Sequence, residues 1–145
     1  MNLQGNRPRT LLNFWMIGLC ASLLAACATT GNKSSPEQLV QERAQARWDA
    51  LLDDRIEEAW GYFAPGYRTG LSVAAYHRRL AARRILYTGA EVTGSTCSET
   101  SCKVQITVDF AAMGALPGVP RMDSTSPVEE DWVFTAGDWY LLPEN

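Results

Sequence analysis

The pattern of residues 36–142 predicts an α+β domain in which N-terminal helices pack on a curved antiparallel sheet. Three observations carry this expectation. Apolar residues recur at helical spacing from Leu39 to Ala81. After Tyr87 the period changes to two: Val104, Ile106, Val108 and Phe110 alternate with Lys103, Gln105, Thr107 and Asp109. Near the end, two short apolar runs flank Gly137-Asp138, a favourable hairpin pair. The 145 residues allow one domain, and 46% hydrophobic content supplies a core for it. A net charge of −3 argues against a general nucleic-acid binder.

The elements follow in chain order. Ser35-Pro36-Glu37-Gln38 starts a helix: Ser35 caps, Pro36 suits the first helical position, and Gln38 closes a capping box. Leu39, Val40, Ala44, Trp48, Leu51 and Leu52 form its apolar face. Asp53-Asp54 interrupts, and Asp54 with Glu57 repeats the capping pattern. A second short helix follows, with Ile56, Ala59, Trp60 and Phe63 facing inward, and Pro65-Gly66 ends it. Ser72 caps a third helix with Val73, Tyr76, Leu80 and Ala81 inward. Residues 88–97 and 102–110 read as strands. Residues 111–128 hold Gly114, Pro117, Gly118, Pro120 and Pro127, and read as a long loop serving as a lid or a partner-contacting arm. Asp131 to Thr135 and Trp139 to Leu142 complete the sheet.

The first 27 residues read as an address. Arg7 and Arg9 precede an apolar run from Leu11 to Ala26, broken only by Asn13 and Ser22. The run is short for a membrane span, which needs about 20 apolar residues. It ends in Leu24-Ala25-Ala26-Cys27, which resembles the lipobox of bacterial lipoproteins. That resemblance implies cleavage before Cys27, leaving residues 1–26 as a signal peptide and acyl chains, palmitate among them, on Cys27. Two or more chains anchor stably, at about 0.8 kcal/mol per buried CH₂. Ala28 stands where an Asp commonly signals inner-membrane retention, so the resemblance implies the periplasmic face of the outer membrane. Residues 27–35 then form the acylated Cys and a flexible tether, whose ATTGNKSS stretch spans at most about 26–29 Å. The folded domain occupies residues 36–145.

Of four Cys, Cys20 leaves with the signal and Cys27 takes lipid. Cys97 and Cys102 remain, separated by a polar four-residue gap between strand-like runs. In an oxidising compartment this spacing predicts a disulfide across a hairpin. The gap is not C-x-x-C, and no His or third Cys accompanies it, which disfavours redox or metal roles.

Residues 47–52 (RWDALL) and 59–68 (AWGYFAPGYR), with Asp131-Trp132-Val133 and Gly137-Asp138-Trp139-Tyr140, resemble nuclear transport factor 2-like proteins of the cystatin-superfamily cone. The resemblance rests on packing motifs and a "Pro-x-Tyr-Arg"-like turn after a helix pair. It implies three helices closed over a bent sheet, with a cavity or groove at the open end. That family includes isomerases, dehydratases, cyclases, secretion-system subunits and binding modules, so fold does not choose a function.

An enzyme of this kind needs an acid or base within reach of substrate. Glu130 shares strand parity with Trp132 and Phe134, making it the one strand carboxylate able to point inward; the alternative is a hydrated position at the rim. His77, the single His, lies at the edge of the Val73, Tyr76 and Leu80 stripe. Glu130, His77 and Tyr76 are therefore the weak catalytic candidates, and no constellation joins them in sequence. One His and no free Cys disfavour a zinc site, and no cofactor motif is present in the sequence. Tyr62, Tyr67, Tyr76, Tyr87, Trp48, Trp60, Trp132 and Trp139 form either the core or the walls of an apolar small-molecule pocket. Arg78, Arg79, Arg83 and Arg84 form a basic cluster. It faces an anionic partner or membrane, or the seven acids among residues 36–63 (Glu37, Glu42, Asp49, Asp53, Asp54, Glu57 and Glu58).

The expectation is a lipid-anchored, cell-envelope binding or accessory module. It is non-catalytic, with the membrane and an envelope protein as partners. The alternatives are a small cavity enzyme and a carrier of an apolar small molecule.

Overall fold

The computed structural model describes residues 34–143, within a compact unit that begins at Ser34. Four helices, α1 (Pro36–Leu52), α2 (Ile56–Gly61), α3 (Pro65–Gly70) and α4 (Val73–Ala82), precede four strands. The strands β1 (Ile85–Cys97), β2 (Ser101–Leu116), β3 (Val119–Thr135) and β4 (Asp138–Leu141) form an open antiparallel meander in the order β1-β2-β3-β4. The α+β class is as expected. Among the described residues, no helix is long and apolar enough to cross a membrane.

The start of α1 follows its sequence signal. The Ser35 hydroxyl accepts from the Gln38 N–H at 3.3 Å, and the Gln38 side chain accepts from the Ser35 N–H at 3.1 Å. One face of α1 buries Val40, Ala44, Arg47, Trp48 and Leu51. Opposite lie Val104, Ile106, Val108 and Trp132, all fully buried. Removing such side chains from water contributes roughly 1.5–3 kcal/mol each and holds the helix on the sheet.

The chain covers part of each edge of the sheet. On β1, Gln45 accepts from the Val92 N–H at 3.0 Å and donates to the Ala90 carbonyl at 3.1 Å. On β4, Leu141 donates to the Tyr62 carbonyl at 2.9 Å and accepts from Ala64 N–H at 3.0 Å. These contacts satisfy backbone groups that would otherwise template pairing with another chain.

Several expectations need correction, and Leu39 and Ala81, read as inward, are exposed. Asp54 does not cap α2: the residue at that position is Arg55, without a side-chain cap bond, and Asp54 sits at φ 57°. Pro65-Gly66 does not end a helix but opens α3, because Pro fits the first helical position, where no N–H is needed. The last hairpin turns at Ala136-Gly137, one residue earlier than read, with φ of 52° and 85°. Residues 111–128 are not a loop: β2 and β3 continue as a paired ribbon through Met113↔Arg121 to a turn at Pro117-Gly118. The prolines are tolerated because β4 pairs only with Trp132–Thr135, leaving one side of β3 unpaired at Pro120 and Pro127. Gly118, at φ 78°, supplies the conformation the turn requires.

Cys97 and Cys102 are cross-strand partners with Cα atoms 4.1 Å apart, and a disulfide joins them. It closes the β1–β2 hairpin, as the spacing predicts.

Candidate binding cleft

A cleft of about 510 Å³ opens between α1, α4 and the inner face of the sheet. Trp48, Leu51, Phe63, Tyr87, Val108 and Phe110 supply its apolar walls. Its volume falls within the range of small-molecule sites. Tyr87 packs edge-on to Trp48 at 5.3 Å, and Phe63 edge-on to Tyr76 at 5.2 Å. Of the eight aromatic residues singled out, Trp48, Tyr67, Tyr76 and Tyr87 line the cleft, whereas Tyr62, Trp60, Trp132 and Trp139 pack in or against the core and do not.

The buried polar centre is an ion pair. Arg47, on the apolar stripe of α1, reaches across to Glu130 on β3, with Nη1 2.6 Å from Oε1. Trp132 Nε1 donates to the other carboxylate oxygen at 3.1 Å. Arg47 and Glu130 are each 7% exposed. Strand parity correctly places Glu130 on the inner face, and burial there requires a partner. The rim alternative is excluded. Arg47 also lies over the rings of Trp48 and Phe63 at 5.1 and 5.5 Å.

Tyr76 also lines this cleft, and only 7% of it is exposed. Burial pushes its hydroxyl above the ordinary phenol range, against the opposing pull of the Arg47 charge. Three buried donors on lining residues have no partner among the described residues: Tyr76 Oη, Arg47 Nε and Trp48 Nε1. Orphaned buried groups are costly and call for an explanation.

His77 does not join Glu130 and Tyr76. It is exposed and borders a separate shallow groove with Asp54, Glu57 and Glu58 between α2 and α4. The three catalytic candidates therefore do not form one constellation. Among the described residues, no group of three or more His, Cys, Asp or Glu could hold a metal ion.

The arginine cluster divides. Arg79 and Arg83 line the cleft, whereas Arg78 and Arg84 do not. None of the four forms a salt bridge among the described residues, so the acids of α1 and α2 do not neutralise them. Arg79 donates weakly to Tyr67 Oη at 3.4 Å. Cys27 lies outside the described residues.

Arg47 is the site residue that the sequence reading does not single out. Its signal is positional: it falls between Ala44 and Trp48 on a helical stripe otherwise apolar.

No family model matches the chain, and no curated protein matches it. Among solved structures it is similar to the solution structure of a SEC-C motif containing protein from Rhodopseudomonas palustris. The two are 20% identical, with a TM-score of 0.48, and the match covers 74% of each chain. The resemblance to bacterial lipoproteins with a nuclear transport factor 2-like domain is not upheld: no family model and no curated protein matches the chain. Of the quoted residues, Trp48, Phe63, Trp132 and Trp139 are buried in the core, and the "Pro-x-Tyr-Arg" segment, Pro65 to Arg68, is the first turn of α3 rather than a turn closing a helix pair.

Proposed function

We propose that the described domain is a non-catalytic binding module whose site is the aromatic cleft. The observation that carries this reading is the state of Glu130. Its two oxygens are engaged by Arg47 and Trp132 Nε1. A proton carrier needs a carboxylate free to reach substrate, so this arrangement supports a structural role. What is left is an apolar-walled volume suited to enclosing part of a small molecule.

The proposal extends to location. Arg7, Arg9, the apolar run 11–26 and Leu24-Ala25-Ala26-Cys27 support export and acylation at Cys27, holding the module at the periplasmic face, with Ala28 favouring the outer membrane. An envelope protein that delivers or receives the ligand completes the reading. The exposed Met113, Val119 and Met122 on the β2–β3 ribbon favour that ribbon as its contact.

The test uses the neutral dye N-phenyl-1-naphthylamine with the purified protein. Saturable one-to-one fluorescence enhancement is expected. Leu80→Trp, which fills the cleft from α4, weakens it more than tenfold while the thermal midpoint is retained. Absence of saturable binding, or binding indifferent to Leu80→Trp, overturns the cleft as the site. Location is read separately by metabolic labelling with an alkynyl fatty acid, which is expected to be lost in Cys27→Ser.

A further inference from the structure

The chemistry of the ligand is written along one face of α4. Tyr76, Arg79, Leu80 and Arg83 all line the cleft. Tyr76 is buried, Leu80 half-buried, and Arg79 and Arg83 exposed. The face therefore runs from a dry floor to a wet, cationic mouth. At 1.5 Å per residue, Tyr76 and Arg83 are separated by roughly 10 Å along the helix axis.

The charges differ between the two ends. At the floor, Arg47 is neutralised by Glu130 at 2.6 Å. A second full negative charge there would face the Glu130 carboxylate and lose its hydration. At the mouth, Arg79 and Arg83 have no acidic partner among the described residues. Glu129, the other lining acid, is engaged by Lys103 on the strand beside it. The mouth thus favours an anion that stays partly hydrated. The Tyr76 hydroxyl and the unpartnered nitrogens of Arg47 and Trp48 are sealed from solvent, so the floor presents the ligand with apolar surface rather than a polar contact.

We propose that the cleft takes a single-chain amphipathic carboxylate. Its charged head sits between Arg79 and Arg83 at the mouth. Its apolar body lies on Trp48, Phe63 and Val108. This inference rests on the cleft being a binding site.

Displacement of bound N-phenyl-1-naphthylamine at neutral pH distinguishes the two claims. Decanoate is expected to displace the dye at concentrations at least tenfold lower than decanol, and decylammonium to be the weakest of the three. Arg79→Gln with Arg83→Gln erases the advantage of decanoate and leaves decanol unchanged. Because both arginines are exposed and without acidic partners, this double variant retains the fold. Equal displacement by decanoate and decanol overturns the proposal, as does an advantage that survives in the double arginine variant. Failure of the dye itself to bind overturns the underlying cleft reading instead.

Discussion

The same two strands build two different materials. Between Cys102 and Val108, β2 lies under α1, and Val104, Ile106 and Val108 are fully buried. Beyond Ala111 the ribbon of β2 and β3 continues to the turn at Pro117-Gly118, and its apolar residues Met113, Val119 and Met122 stay exposed. Strand geometry is maintained in both halves by antiparallel pairing, in one register through Met113↔Arg121 and shifted only between Met113 and Leu116 near the turn. The difference is the covering helix. In the body, burial of one face specifies the register, because a one-residue slip would turn Val104, Ile106 and Val108 toward water. In the ribbon, no such penalty operates. Pairing and the Gly118 turn alone hold it, and its apolar side chains are left for a partner.

The sharpest way to break this comparison is to hollow out the body. Trp132→Ala removes the largest fully buried side chain and the donor to Glu130, and should cost about 3–5 kcal/mol in chemical denaturation. A loss below 1 kcal/mol would mean that the helix-backed half is not the stabilising part.

Next comes the polar centre of that half. Glu130→Gln leaves Arg47 buried without its counter-charge and should cost about 3–5 kcal/mol. The paired change Arg47→Met with Glu130→Leu should restore most of that stability, since apolar side chains of similar size replace both charges. If the double variant is no more stable than the single one, the ion pair contributes more than mutual neutralisation.

The smallest effect belongs to the ribbon. Met113→Ser with Met122→Ser should shift stability by no more than about 0.5 kcal/mol, because neither side chain has a covering layer to lose. A larger loss would show that the ribbon contributes to the fold rather than waiting for a contact.

Much of this architecture is legible in the sequence, and particular residues show where legibility stops. The capping box at Ser35 and Gln38 and the cap at Ser72 form as read, because each is a contact within one turn. The Cys97–Cys102 bridge does too, because a short gap between strands leaves few geometries. The ribbon at 111–128 is misread because its Gly and Pro residues signal a loop, and only the absence of a second neighbour for β3 makes those prolines acceptable. Pro65 is ambiguous locally, since proline both stops helices and starts them. Glu130 is placed inward by parity, yet nothing near it in sequence announces its partner, which lies 83 residues away.

By itself, the sequence determines the order of helices and strands, the alternation that gives β2 its inner face, and the sulfur pairing. All of these depend on periodicity or on neighbours a few residues apart. Only the tertiary structure decides that Arg47 meets Glu130, that Tyr76 is buried without a partner, and that Arg79 and Arg83 stand at the same opening while Arg78 and Arg84 do not. Those outcomes depend on how far α1 and α4 stand from the sheet. That separation is set by the packing of the whole core and by no single segment of the chain.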